Sequence, residues 1–280
     1  MLTGGLSGDP RNLWLVGRPR SGPVPLVAMS PQRTPDGPPP PPPVQKLRVQ
    51  YARRGRLRFS STRDFARALE RALRRSGVPM AFSAGFHPHP KISYANGAPT
   101  GMASEAEYFE ISVTEHVDPE SVRVALDEAL PEGIDVIQVV DATPGALADR
   151  LQASRWRMVF AAVEVEELQR VVDAFLAQER VEVSRMFKRG RKSFDAREPV
   201  REARVEAGPD APCAILTMVV RHTTPAVRPD DVLTALSLVT PFAPPRPPMV
   251  TRLEQGVWDE ADATVIDPLM TDEDTVGPMG

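Results

Sequence analysis

The run Phe82-Ser83-Ala84-Gly85-Phe86-His87-Pro88-His89-Pro90-Lys91-Ile92-Ser93, followed by Tyr94, gathers two histidines, a lysine and a phenol in one short stretch. His87 and His89 are two residues apart, so an extended backbone would aim both rings to one side, as metal ligands require. No cysteine lies nearby to complete such a set, and His116 and His222 are the only other histidines. The same residues suit metal-independent RNA cleavage, with His87 as general acid or base and Lys91 steadying a phosphorane. Phosphate contact without cleavage, or a loop merely shaped by its prolines, are the alternatives. No residue here is assigned as catalytic and none as a metal ligand.

Cations form the second constellation. Between Lys46 and Lys91 stand twelve basic residues against two acids, inside a chain of net charge −3. The next stretch, Ile92 to Ala148, reverses this, with eleven acids and only Arg123. Arginine outnumbers lysine 30 to 4, and its planar fork suits bidentate grip on phosphate and stacking on bases. The first cluster holds Arg53, Arg54, Arg56, Arg58, Arg63, Arg67, Arg71 and Arg74. The second holds Arg185, Lys188, Arg189, Arg191, Lys192 and Arg197, with Gly190 at its tip. Phe86 and Phe187 offer planes for bases. The expected nucleic-acid-binding set is therefore these two clusters, Arg185 apart, with Phe86, His87 and Lys91. Glu105, Glu107 and Glu110 read as a solvated strand edge facing the cations, with Glu105 and Glu107 on one side.

The elements that must position these groups follow from periodicity. Leu47, Val49 and Tyr51 alternate as in a half-buried strand, and Arg56 to Ser60 resumes the alternation through Leu57 and Phe59. Ser61 and Asp64 suit a capping box and Gly77 a helix stop. Between them Phe65, Leu69, Ala72 and Leu73 share one face, and Arg63, Arg67, Arg71 and Arg74 the other. An extended segment over 81–95, broken by the His-Pro loop, a strand at Tyr108–Val113, a helix begun by Asp118-Pro119 and a strand at Ile134–Val140 complete a βαββαβ order. A second, degraded round follows. It has strands at Trp156–Val163, Val181–Phe187 and Ala214–Val220, helices around Leu168–Leu176 and Asp230–Leu238, and no clear last strand. The fold class expected is α+β, two ferredoxin-like halves in tandem, spanning residues 44–148 and 149–242. Twelve of the 31 prolines precede Val44, so residues 1–43 read as a disordered Pro-rich head. Residues 243–280 read as a disordered acidic tail.

Three of these segments together resemble a known family. They are Arg56-Leu57-Arg58-Phe59-Ser60, Arg74-Arg75-Ser76-Gly77-Val78-Pro79, and the Phe82-Ser83-x-Gly85-Phe86-x-Pro88-x-Pro90-Lys91-Ile92-Ser93 phrase. Glu105 to Glu110 and Arg189 to Arg197 extend the likeness, which covers roughly Lys46 to Leu238. The chain resembles the radical-SAM-associated proteins of otherwise unknown function, a domain fused to, or encoded beside, cobalamin-binding radical SAM proteins. His87 and His89 stand where that family commonly carries Asn and Arg. The resemblance implies a partnership with a separate radical SAM enzyme. A looser likeness joins the basic helix to RNA-binding ferredoxin-like proteins.

Cys213 is the only cysteine. One thiolate cannot hold the cluster that radical SAM chemistry needs, so such chemistry would belong to a partner. A lone cysteine also forms no disulfide within one chain, and no apolar run reaches the length of a membrane span. The expectation is a cytoplasmic, non-catalytic accessory protein without cofactor. It would bind RNA, transfer or ribosomal RNA among them, beside a separate radical SAM enzyme and away from membranes. A protein-interaction subunit without nucleic acid and a metal-independent endoribonuclease remain as alternatives.

Overall fold

The computed structural model describes residues 39–270. Most of the Pro-rich head and the last ten residues lie outside them. The chain runs β1 Gln45–Arg53, a 3-10 turn Gly55–Phe59, α1 Thr62–Ser76, β2 Ile92–Ala95, β3 Ala103–Val113, α2 Pro119–Ala129 and β4 Ile134–Asp141. A short α3, Leu147–Arg150, leads to β5 Ala153–Ala161, α4 Val165–Leu176, β6 Glu182–Phe187, β7 Gly190–Asp195, β8 Val200–Ala207, β9 Cys213–Arg221, α5 Pro229–Val239, β10 Met249–Asp259 and β11 Thr264–Ile266.

Nine strands form one sheet in the order β4-β1-β3-β10-β5-β9-β8, with β2 added to β3 and β11 to β10. Its pairings are antiparallel except where β10 meets β3 over two residue pairs. β6 and β7 form a separate hairpin. The class is thus α+β with a large, mostly antiparallel sheet. Its order is more complex than two halves set side by side, because the last long strand inserts at the centre and joins them.

Local signals explain the helices. Ser61 accepts from the Asp64 amide and Asp118 from the Ser121 amide, each satisfying a first-turn N–H worth about 1 kcal/mol. Phe65, Leu69, Ala72 and Leu73 of α1 are buried. They pack with Leu126 of α2 on Leu47, Val49, Phe109 and Ile111 of the sheet. A second core joins Leu168 and Phe175 of α4 and Leu236 of α5 to Met158, Phe160, Leu216 and Val250. At the seam the β1–β3 register shifts between Tyr51 and Arg53, pairing Tyr51 with Glu107 but Arg53 with Ser104. That bulge keeps Glu107 on the face where Arg252 and Trp156 lie, so the long helices of both cores cover the same side of the sheet. Tyr108, Leu147, Leu151 and Leu269 pack in a smaller cluster of their own.

Two expectations are corrected. Residues 56–60 do not resume a strand. Leu57 N–H bonds back to the Arg54 carbonyl and Ser60 N–H to that of Leu57, closing a 3-10 turn that leaves Phe59 exposed. The tail from 243 is not disordered throughout, since 249–259 and 264–266 are strands. Its polar residues looked solvated because their partners lie far away in sequence. β8, a charge-rich edge strand, was not expected either.

Candidate nucleic-acid interface

Arg63, Arg67, Arg71 and Arg74 stand on the exposed side of α1, away from the buried apolar stripe. Only Arg74 approaches a carboxylate, Glu70 at 3.8 Å. Arg56 and Arg58 ride on the 3-10 turn, and Arg58 lies 4.6 Å over the Phe59 ring. Arg56, Arg58, Arg63, Arg67 and Arg71 make no ion pair among the described residues. Helical spacing and the turn thus build one ridge of available guanidinium groups.

The hairpin builds the second. Phe187 pairs with Gly190, so Lys188 and Arg189 form a two-residue turn, and the positive φ of 106° at Gly190 is one that favours glycine. Lys188, Arg189, Arg191 and Lys192 are exposed and make no ion pair among the described residues. Arg185 at the base is different. It clasps Asp231, donates to the Ala226 carbonyl at 3.0 Å, and lies 4.8 Å from Phe187 and 5.1 Å from Phe194. With Lys192 also 5.8 Å from it, Phe187 already carries two cations on its ring and is not a free plane for a base.

Three expected phosphate ligands are structural instead. Arg53 is 4 % exposed and donates to the Ala98 carbonyl at 2.9 Å. Arg54 is held by Glu105 and by Asp135 at 2.6 Å, and the Glu105 hydrogen bond raises its pKa further. Arg197 turns back on the last turn of α4, donating to the Leu176 carbonyl at 3.2 Å and the Val200 carbonyl at 3.0 Å. There it satisfies a helix-end carbonyl that would otherwise lack a donor. The carboxylates are corrected too. Glu107 and Glu110 are buried in ion pairs, Glu107 with Arg252 at 3.0 Å and Glu110 with Arg48 at 3.1 Å and Lys46 at 2.7 Å. They are no solvated edge, and part of the polarity between the two segments cancels inside the fold.

The His-Pro loop closes on itself through a Phe82–Pro90 bridge and a bond from Ser83 N–H to the His89 carbonyl. Phe86, His87, His89 and Lys91 are exposed on it. The His87 imidazole has no hydrogen-bond partner among the described residues, so nothing orients it as a general acid–base would be oriented. No group of three or more His, Cys, Asp or Glu suited to a metal occurs among the described residues.

Of the two cation groups, only the first reaches a hollow. That space, about 370 Å³, is lined by Arg58, Phe59, Gly101, Asp230, Pro248 and Met249 among others, and not by Lys188, Arg189, Arg191 or Lys192. Asp230 adjoins Asp231, the residue that clasps the hairpin base. A smaller hollow of about 140 Å³ also lies between the crossing segment after β2 and the start of α5, lined by Asn96, Pro99, Trp156, His222, Arg228 and Arg252 among others. Its floor is a polar network that sequence reasoning missed. Arg252 pairs with Glu107, donates to the Asn96 carbonyl at 2.9 Å and lies 5.0 Å over the Trp156 ring. His222 bonds the Leu151 carbonyl at 2.7 Å and Ser154 Oγ at 2.8 Å. Burial pushes His222 below its ordinary pKa, which keeps the ring neutral at pH 7. The only local sign of this network was the Asn96-Gly97 turn signal.

Among the described residues no helix is long and apolar enough to cross a membrane. Comparison with curated proteins finds no match. Residues 46–229, well over half of the chain and including both cation groups, match the family described as an uncharacterized protein conserved in bacteria (DUF2344), and the chain belongs to that family.

Proposed function

We propose that this protein is a non-catalytic, cytoplasmic accessory protein that holds RNA on its two cation groups. Following the resemblance of its sequence motifs, it would do so for a separate radical SAM enzyme. The observation that carries the RNA reading is selective neutralisation. Arg48, Arg53, Arg54, Arg185, Arg197 and Arg252 are all engaged by carboxylates or carbonyls. Arg56, Arg58, Arg63, Arg67 and Arg71 in one group, and Lys188, Arg189, Arg191 and Lys192 in the other, make no ion pair among the described residues and are left for an outside anion. A polyanion held by both groups would release counterions on binding, so affinity should fall steeply with salt. The recurrence of one strand order, β4-β1-β3-β2 and then β10-β5-β9-β8, supports reading each half as ferredoxin-like, with β6-β7 inserted in the second.

The test is fluorescence anisotropy of a labelled single-stranded RNA across a salt series. Reversal of two charges in Arg189→Glu/Arg191→Glu should weaken binding by about tenfold or more and flatten the salt slope by roughly one to two. Unchanged affinity in that variant would overturn the reading. The exposed Phe59, Phe86 and Met249 favour a second reading, a protein-docking subunit without nucleic acid. Recovery of a radical SAM protein from nuclease-treated lysate, together with no RNA affinity in the purified chain, would decide for it.

A further inference from the structure

The smaller hollow at the seam differs chemically from the two cation groups. Its buried cation is already matched, since Arg252 is 2 % exposed and paired with Glu107. Its imidazole is held in place, Nδ1–H donating to the Leu151 carbonyl and Nε2 accepting from Ser154 Oγ. Pro99, Trp156 and Val227 give it apolar walls. A phosphate would gain little on the floor, because the charge of Arg252 there is already paired. At about 140 Å³ the space is well below the roughly 300–1,000 Å³ of pockets that take larger ligands.

Asn96 supplies the specific feature. Its backbone sits at a φ of 40°, in the left-handed region, directly after β2. Two hydrogen bonds hold it there. The Arg252 guanidinium donates to its carbonyl at 2.9 Å, and its side-chain Nδ2 donates to Gln255 Oε1 at 2.8 Å. The β2–β3 ladder ends at the residue before it. Asn96 is exposed, and with Nδ2 engaged its Oδ1 is an acceptor without a partner among the described residues. Strained backbone held in this way is characteristic of sites that present a group to a ligand. Arg228, exposed at the rim, adds one cation where a backbone phosphate would pass.

We infer that this hollow receives one unpaired base of the strand held by the ridges, with Asn96 Oδ1 accepting from an exocyclic amino group. Single-stranded RNA is read by such splayed bases, placed against flat side chains and hydrogen-bonded at their edges. Adenine and cytosine present that amino donor and uracil does not. Phosphates would then be held by the cation groups and sequence read in the hollow. The inference rests on the RNA-holding reading and is tested so that the two can fail separately.

The experiment uses the full chain with three fluorescein-labelled strands of equal length: oligoadenylate, oligouridylate and an abasic backbone. Oligoadenylate should bind roughly tenfold tighter than the abasic strand, the scale of one well-placed base, and oligouridylate should fall between them. Asn96→Gly removes the acceptor while suiting the left-handed backbone, so the fold should persist. It should erase the adenylate preference and leave abasic affinity and salt dependence unchanged. Equal binding of all three strands would overturn the base site yet leave the RNA reading standing, as would an adenylate preference that survives in Asn96→Gly. Failure of every strand to bind at low salt would overturn both.

Discussion

Arg252 at the seam and Arg67 on α1 carry the same guanidinium, yet one is 2 % exposed and ion-paired while the other is exposed and makes no ion pair among the described residues. The seam arginine holds β10 against β3 through Glu107 and pins the backbone of Asn96. The ridge arginine makes no hydrogen bond or ion pair among the described residues and acts only at longer range, on Asp64. Exposed cations without partners contribute little to stability and gain their value from an outside anion. Buried ones stabilise only while every partner is present. In an arginine-rich chain, structural and binding arginines therefore separate by environment rather than by residue type.

Breaking the seam should give the largest effect. Glu107→Ala leaves Arg252 as a buried cation without its carboxylate, and loss of one partner of a buried pair costs about 3–5 kcal/mol. Urea denaturation should show the loss as a lower midpoint. A change below about 1 kcal/mol would mean that water reaches the seam and that the contrast with the ridges is false. The ridge should behave oppositely. Arg63→Glu/Arg67→Glu/Arg71→Glu should leave the urea midpoint within about 0.5 kcal/mol, as exposed substitutions do. It should nevertheless cut RNA affinity about a hundredfold at low salt, through lost and reversed phosphate contacts.

Those two regions also differ in how far the sequence revealed them. The α1 ridge was legible because its signals are local. Ser61 and Asp64 start the helix, Gly77 follows its end, and a 3.6-residue stripe divides apolar from basic faces. The hairpin was legible through Gly190 among cations. The seam was not. Arg252 follows a proline-dense stretch and precedes acids, so it reads as solvated. Its partners Glu107 and Asn96 become neighbours only when β10 enters the sheet beside β3. Glu107 alternates with the buried Phe109 and Ile111 and so lies on the core face, but as a carboxylate near two others it read as solvated. Charge pairs distant in sequence leave no periodic trace, which is why Arg53, Arg54 and Arg197 were grouped with the ridge.

A milder probe of the seam is pH. Burial lowers the folded-state pKa of His222 below its ordinary 6.5, and the charge of Arg252 lowers it further, while the bond to the Leu151 carbonyl works against both. The unfolded chain therefore takes up the proton first as pH falls. Stability should be fully present above about 6.5 and decline below it, through the window down to the folded pKa. His222→Gln should flatten that part of the profile. An unchanged profile in the variant would assign the titration to other groups.

The smallest effect sharpens the line between the regions. Arg54 adjoins the ridge in sequence but is tied to Glu105 and Asp135 at the surface. Exposed pairs of this kind are worth about 0.2–1 kcal/mol, so Arg54→Ala should lower the urea midpoint only slightly. RNA affinity should fall by less than for an unpaired ridge arginine, because the guanidinium it removes was already neutralised. Two carboxylates freed beside the ridge would, if anything, repel phosphate at low salt and lose that influence as salt rises. Arg56→Ala, two residues on and without an ion pair, should do the reverse, leaving stability intact and weakening RNA several-fold. If the two variants behaved alike in both assays, environment would not be what divides structural from binding arginines in this protein.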